Sequence, residues 1–227
     1  MSLRFPGPAG ALEGLIDRPS RKPEPDSEDP GPRAAVIFAH AHPLRGGTMH
    51  TKAVYQGAKG LTRIGCAVLR FNFRGVGAST GAFDGGDGEL DDFRAGVAFM
   101  TSQYPGVPLW GAGFSFGSWV ALEAGAADAR VSLLVGIAPP VARQEYRFEH
   151  ILTCTKPKFF VQGSLDETCR LKDLRAFYAA LPEPKELVVI DGADHLFSGR
   201  AAEVGEALED LLADFTPDRG RVKDTDA

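Results

Sequence analysis

Apolar and polar positions along the chain form blocks of two kinds. Six short blocks are almost wholly apolar, the pattern of strands that are buried on both faces of a sheet; they span residues 34–40, 66–73, 107–114, 130–138, 158–163 and 186–192. Longer segments between these blocks predict helices, at residues 49–64, 89–103, 116–127, 171–181 and 200–215. This alternation predicts an α/β fold with a doubly wound, mostly parallel sheet flanked by helices on both faces.

Three further segments complete the predicted organisation. Residues 3–16, punctuated by Gly and Pro, predict an opening strand or hairpin. Residues 18–33 are rich in Pro and charge and nearly devoid of apolar side chains, which predicts a flexible surface loop. Residues 216–227 are polar and predict a frayed C-terminal tail. A length of 227 residues fits one domain, so we expect a single α/β domain over residues 1–227.

Composition and charge argue against several classes of function. The net charge is −5, and no stretch combines clustered Lys and Arg with aromatic residues, so we expect no nucleic-acid partner. No apolar stretch approaches the length that a bilayer requires, so we expect no membrane partner. The opening MSLRFPGPAG lacks the basic and apolar regions of a secretory signal, and the three cysteines are odd in number without metal-ligand spacing. Both observations predict a cytoplasmic protein with reduced thiols.

A nucleophile motif lies at the junction of a predicted strand and a predicted helix. The strand at 107–114 ends in Gly113-Phe114-Ser115-Phe116-Gly117, which is Gly-x-Ser-x-Gly in a strand–turn–helix context. A serine hydroxyl is a poor nucleophile and must be presented to a base, which a sharp turn achieves. Small residues on either side prevent clashes, and the helix N-terminus favours negative charge beside the serine. We predict that Ser115 is a nucleophile; the alternative is a serine that merely caps the helix.

Partners for this serine follow two later strands. His195 lies in a Gly-containing loop after the last predicted strand, and neutral imidazole is the natural general base near pH 7. With this type of motif the orienting acid lies between the serine and the histidine in sequence. Asp166, just after a strand end, is our prediction for that acid, with Glu167 as the fallback. Asp194 is adjacent to the histidine, and we expect it to shape the loop instead.

Negative charge on the reacting oxygen needs backbone donors. The residue after the nucleophile, Phe116, is expected to supply one N–H, and the loop at residues 40–47 the other. In that loop Pro43 has no N–H. We predict Leu44 as the second donor, with His42 as the alternative.

Metal and nucleotide cofactors are not expected. His40 and His42 form a His-x-His pair that could chelate a metal, but no third or fourth ligand cluster accompanies them, so loop-ordering roles are favoured. The glycine-rich stretch at residues 70–89 lacks the Gly-Lys-Ser/Thr ending of a phosphate-binding loop. Within it we expect an ordered loop beside the site, in which Arg74 pairs with Glu89.

Several motifs together resemble one family across nearly the whole chain. The chain is similar to small bacterial serine hydrolases of the α/β-hydrolase superfamily, related to dienelactone hydrolases, through His42-Pro43-Leu44, Gly46-Gly47-Thr48-Met49, Lys52, the run RFNFRGVGASTG at 70–81 and the run FDGGDGE at 83–89. The resemblance implies an α/β-hydrolase fold. Dienelactone hydrolases proper use a cysteine nucleophile, so Ser115 favours ester hydrolysis.

The connection between the fourth and fifth predicted strands is short. Many lipases insert a helical lid domain between the strands that correspond to residues 130–138 and 158–163, but the intervening residues 139–157 are too few for such a domain. This predicts an open site for small or soluble acyl substrates and no large lid domain. Pro139-Pro140, Tyr146 and Phe148 would either line the rim of the site or pack the connection, and packing is favoured.

The expected activity is hydrolysis of carboxylic esters through an acyl-enzyme, with a small-molecule ester as the partner. Thioester or peptide hydrolysis by the same residues is an alternative. A catalytically idle binding protein with this fold is another, because fold does not determine function. Exposed edge strands would also permit a homodimer.

Overall fold

The computed structural model describes residues 3–20 and 31–215. In these ranges the strands are β1 (Leu3–Gly7), β2 (Gly10–Asp17), β3 (Ala35–Ala39), β4 (Ala67–Phe71), β5 (Leu109–Phe114), β6 (Val131–Ile137), β7 (Lys158–Gly163) and β8 (Lys185–Ile190). The helices are α1 (Lys52–Arg63), α2 (Asp87–Gln103), α3 (Phe116–Ala127), α4 (Leu171–Ala180) and α5 (Ala201–Leu212), with short 3-10 turns at Pro43–Arg45 and Ile151–Thr153.

All eight strands form one sheet in the order β1-β2-β4-β3-β5-β6-β7-β8. The pairs β1–β2 and β2–β4 are antiparallel, and every later pair is parallel. The mostly parallel sheet and the opening hairpin are therefore confirmed, and each predicted strand and helix is present with its ends shifted by a few residues. The carboxyl ends of β3 to β8 meet at one edge, where α/β proteins place their ligand sites.

Helices cover both faces of the sheet, because side chains alternate along each buried strand. In β3, Ile37 belongs to the apolar cluster that includes residues of α2 and α3. Its neighbours Val36 and Phe38 belong to the opposite cluster, which includes residues of α1 and α5. The doubly wound arrangement is thus confirmed. Among the described helices, none is long and apolar enough to cross a bilayer.

The predicted charged loop and tail fall largely outside the described residues. Of the loop predicted at 18–33, only its two ends are described, and both lie at the end of α1: the Ser20 N–H donates to the Thr62 carbonyl (2.9 Å) and the Arg33 N–H to the Gly65 carbonyl (2.9 Å). The tail predicted at 216–227 lies wholly outside them.

The connection from β6 to β7 is short and contains only one 3-10 turn, so no lid domain is inserted there. It is fastened to α3: the Glu123 carboxylate accepts the Ile151 N–H at 3.1 Å, and the Trp119 indole N–H donates to the Arg147 carbonyl at 2.8 Å. Phe148 is buried and packs edge-to-face on a ring of α4, Phe177, with centroids 4.9 Å apart. These contacts hold the connection against α3 and α4.

Candidate active site

Ser115 lies in a strained turn between β5 and α3. Its φ of 53° and ψ of −121° lie outside the regions that non-glycine residues ordinarily adopt. A Cβ at Gly113 would come within 2.6 Å of the Ser118 nitrogen, so only glycine permits the helix to leave the strand so abruptly. The Ser115 N–H donates to the Ile137 carbonyl at the end of β6 (2.8 Å), which fixes the turn to the sheet.

The structure brings Ser115, His195 and Asp166 together, as the sequence predicts. Ser115 Oγ lies 3.0 Å from His195 Nε2, and His195 Nδ1 lies 2.8 Å from Asp166 Oδ2. A carboxylate only accepts hydrogen bonds, so Nδ1 carries the proton and Nε2 is left to accept from the serine hydroxyl. This tautomer is the one that lets the imidazole take the serine proton.

Asp166 is buried, and both of its oxygens accept two hydrogen bonds. Oδ1 accepts the backbone N–H groups of Thr168 (2.8 Å) and Cys169 (2.7 Å). Oδ2 accepts Gln162 Nε2 at 3.0 Å in addition to His195. The carboxylate is therefore held by donors from three directions besides the imidazole. By contrast Glu167, the fallback acid, is exposed.

Gln162 is a site residue that the sequence reasoning missed. It is fully buried in β7, and its amide nitrogen also donates to the Cys169 carbonyl at 2.7 Å. The amide oxygen has no hydrogen-bond partner among the residues that the structure describes. Because both neighbours of the nitrogen are acceptors, the opposite amide orientation would place oxygen against oxygen. The available signal was a lone amide side chain within an apolar strand, four residues before the predicted acid.

The loops that carry Asp166 and His195 are joined to each other. The Leu165 N–H donates to the Ala193 carbonyl (2.9 Å), and the Gly192 N–H donates to Ser164 Oγ (2.8 Å). A Cβ at Gly163 would lie 3.0 Å from the Ala193 carbonyl carbon and closer still to its oxygen. The two loops thus approach backbone to backbone, which places the acid and the base at a fixed separation.

Asp194 shapes the histidine loop, as predicted. Its Oδ1 accepts the N–H groups of Leu196 (3.1 Å) and Ser198 (2.8 Å), and these bonds hold its pKa below the usual value for aspartate. The His195 ring packs against Phe114 at the end of β5, with centroids 5.4 Å apart. The imidazole is therefore positioned from both its loop and the nucleophile strand.

The prediction of Leu44 as an oxyanion donor requires correction. Its N–H donates to His42 Nδ1 at 3.2 Å, inside its own 3-10 turn, and its side chain is exposed. The backbone N–H of His42, the alternative, makes no hydrogen bond within the described chain, and the same holds for Phe116. The His42 ring lies 5.1 Å from the Phe116 ring, centroid to centroid, so these two residues are neighbours.

His40 orders the loop that carries His42. Its ring is fully buried, with Nδ1 2.6 Å from the Ala41 carbonyl oxygen and Nε2 accepting the Phe73 N–H at 3.1 Å. Burial lowers its pKa to about 4, so the imidazole is neutral at pH 7. Both ring nitrogens are occupied, which agrees with a loop-ordering role and leaves neither free for a metal.

The expected pair between Arg74 and Glu89 is wrong. Arg74 instead forms a buried ion pair with Asp92, Nη2 to Oδ1 at 2.9 Å. Glu89 caps the start of α2, accepting the N–H groups of Gly86 (2.8 Å) and Asp84 (3.1 Å). Burial raises the pKa of Glu89 above the usual value. The capped loop is ordered, as expected.

One cluster of metal-binding side chains coincides with the site. Ligand atoms of Asp166, Cys169 and His195 lie within 4.8 Å of one another. The Asp166 carboxylate and the His195 imidazole are hydrogen-bonded to each other, so these two atoms are not free to bind a metal. Burial, followed by the nearby Asp166 charge, raises the pKa of the Cys169 thiol to about 12, so the sulfur is protonated and a poor ligand. The donor set therefore does not fit a metal.

Comparisons with known proteins agree with this architecture. A family described as an alpha/beta hydrolase domain matches residues 32–218. An α/β serine hydrolase homologue from Coxiella burnetii is 36% identical, with a TM-score of 0.85, over 94% of this chain and 97% of its own. An α/β serine hydrolase without a lid from Xanthomonas campestris is 35% identical, with a TM-score of 0.81, over 92% of each chain. An uncharacterised protein of Rickettsia prowazekii (strain Madrid E) is 34% identical over 92% of this chain and 87% of its own. The family match spans most of the chain, and two of the similar structures are bacterial α/β serine hydrolases, so the chain belongs to the α/β-hydrolase family.

Proposed function

We propose that the protein is a serine esterase that cleaves carboxylic esters of small or soluble acyl substrates. The observation that carries the proposal is the pair of consecutive hydrogen bonds that links Ser115 Oγ to the His195 imidazole and the imidazole to the buried carboxylate of Asp166. A buried acid, an imidazole in the matching tautomer and a serine held in a strained turn are the parts that covalent acyl transfer needs.

The proposed reaction proceeds in two halves. His195 Nε2 takes the proton of Ser115 as its oxygen attacks the acyl carbonyl, and Asp166 stabilises the imidazolium. The imidazolium then protonates the departing alcohol, which leaves an acyl ester on the serine. Water, deprotonated by the same imidazole, attacks that ester and releases the acid, and the serine recovers its proton.

Two backbone N–H groups are proposed to stabilise the oxyanion. Phe116 follows the nucleophile at the start of α3, where the helix dipole also favours negative charge. His42 replaces Leu44 as the second donor because its N–H is unused. The fixed position of the His42 loop, which His40 joins to Phe73, makes this donor preorganised.

The class of substrate follows from the openness of the site. The described chain has no lid domain over it, so we expect a soluble ester to reach Ser115 without interfacial activation. An esterase domain from a Rhodothermus marinus protein has the same fold at 23% sequence identity, with a TM-score of 0.71. The three buried, unpaired cysteines support our proposal of a cytoplasmic location.

A fluorophosphonate probe and a panel of p-nitrophenyl esters of increasing acyl length test the proposal. We expect labelling and ester hydrolysis by the wild type, and loss of both in Ser115→Ala. Ser102→Ala, a change of the same kind on the exposed side of α2, is the matched control and should retain both. An unlabelled wild type would favour a catalytically idle binding protein. Hydrolysis of acyl thioesters or short peptides in place of esters would show that the protein cleaves a different type of bond.

A further inference from the structure

A cavity of about 390 Å³ lies in the connection between β6 and β7. Its apolar surface comes from Val141, Tyr146, Phe148 and Phe177, and the last two rings pack edge-to-face with centroids 4.9 Å apart. A volume of this size lies at the lower end of the range of small-molecule sites. Aromatic walls favour a flat apolar group, which gains both area burial and edge-to-face contacts.

Two arginines, Arg143 and Arg147, also line this cavity. Neither guanidinium makes a hydrogen bond within the described chain. Their nearest acids are loosely placed: Glu145 is 3.9 Å from Arg143 and Glu149, which also lines the cavity, is 3.5 Å from Arg147. Most other arginine ion pairs of the described chain are hydrogen-bonded at 2.6–2.9 Å. The cavity therefore presents unused donors of the planar kind that bind a carboxylate in bidentate fashion.

One wall of the cavity packs against the start of α3, the helix that follows the proposed nucleophile. The Tyr146 ring, one of its walls, lies 5.6 Å from the ring of Phe116 and 4.9 Å from that of Trp119, centroid to centroid. The Arg143 charge also acts on the buried Cys169 thiol, where it lowers the pKa against the larger effect of burial.

We infer that the cavity binds an aromatic group bearing a carboxylate, and that the preferred substrates are esters in which one side carries such a group. The ring would lie among Tyr146, Phe148 and Phe177, and its carboxylate would pair with Arg143 and Arg147. This inference rests on the proposed esterase function and names the substrate class for that same site.

Matched esters test the inference. The substrate 4-acetoxybenzoate carries the carboxylate, and its methyl ester, methyl 4-acetoxybenzoate, is the neutral counterpart. In the double variant Arg143→Gln/Arg147→Gln we expect the ratio of kcat/KM, anionic over neutral, to fall about tenfold, mainly through KM, because a charged hydrogen bond is lost. Both side chains are exposed, so folding should be unaffected. Arg94→Gln, on α2 and exposed about as much as Arg143, is the control and should leave the ratio unchanged.

A binding experiment separates failure of the inference from failure of the proposed function. Benzoate titrated into Ser115→Ala and followed by NMR should bind, and the double arginine variant should abolish that binding. If esters are hydrolysed but the ratio does not change, the cavity inference is wrong while the esterase stands. If no ester is hydrolysed, the proposed function and the substrate preference both fail, and benzoate binding then decides only whether the cavity holds an aromatic carboxylate; its absence overturns that part too.

Discussion

Replacing Gly117 with alanine tests the packing that builds the site. Gly117 lies in the first turn of α3, against the end of β3. A Cβ there would lie 2.6 Å from the Ala39 carbonyl carbon and closer still to the carbonyl oxygens of Ala39 and His40. Real Cβ atoms keep at least 3.0 Å, so helix and strand must separate by more than 0.4 Å. The opposing atoms are backbone, so no change of rotamer can relieve the contact.

The expected change in the free energy of unfolding follows from two opposing effects, overpacking and helix propensity. Overpacking typically costs about 1–3 kcal/mol, and a backbone clash on this scale belongs at the upper end. Alanine gains about 1 kcal/mol over glycine in a helix. The free energy of unfolding of Gly117→Ala should therefore fall by about 2 kcal/mol, which lowers Tm by about 4–8 °C in a domain of this size. Separation of the Ser115 turn from the loop beyond His40 should also lower kcat/KM by about tenfold or more, because catalysis is sensitive to sub-ångström placement.

Gly96→Ala supplies the matched comparison. Gly96 is also a helical glycine that faces β3, but its added Cβ would meet a side-chain atom, Ile37 Cγ2, at 3.1 Å. The methyl can move, so we expect a change in Tm of less than about 3 °C and unaltered ester hydrolysis. Thermal melts and p-nitrophenyl acetate kinetics on the two variants make the comparison. If Gly117→Ala has the same Tm as Gly96→Ala and keeps full activity, the contact between the start of α3 and the end of β3 does not require glycine.

Three further predictions concern buried polar groups. Gln162→Leu should lower kcat/KM by about tenfold or more, because it removes a hydrogen-bond donor to Asp166. Tm should change little, because the substitution also removes a buried amide oxygen that has no partner among the described residues. An unchanged kcat/KM would contradict the positioning role. His40 has a pKa of about 4, against 6.5 when unfolded, so the unfolded chain binds the extra proton between these values. The wild type should therefore lose up to about 3 kcal/mol of unfolding free energy as pH falls from 6.5 to 4, and urea melts of His40→Asn should show a smaller loss. Burial raises the pKa of the Cys66 and Cys169 thiols to about 12, so neither should react with DTNB at pH 8 before the protein is unfolded.

The elements and the three side chains of the proposed site were predictable because their signals are local or ordered along the chain. Buried strands of a parallel sheet are continuous apolar runs, and a Gly-x-Ser-x-Gly between a strand and a helix predicts a sharp turn that exposes the serine. Asp166 and His195 each follow such a strand, so the shared carboxyl edge brings them to Ser115. Their convergence needed no knowledge of side-chain packing.

The errors lie where a polar group had a choice of partners. Leu44 and His42 both offer an N–H in one loop, and the His42 ring, by accepting from Leu44, decides which remains free. Two acidic residues one helical turn apart, Glu89 and Asp92, were possible partners of Arg74. Glu89 accepts backbone N–H groups as the N-terminal cap of α2, so the guanidinium pairs with Asp92. These choices depend on torsions and tertiary distances that spacing along the chain does not contain.

Glycines determine the geometry of the proposed site as much as its reactive side chains do. Gly117 lets α3 touch the end of β3, and Gly163 lets the acid loop touch the histidine loop. Each contact is backbone against backbone, so the separations are set by atoms that cannot change rotamer. Ser115 can be held at a φ of 53° because its own N–H is bonded to β6 while the helix behind it is pressed against β3. A chain with the same serine, histidine and aspartate but with alanine at these glycines would separate the donors from the nucleophile. The proposed activity should therefore depend on these glycines, although none of them supplies a reactive side chain.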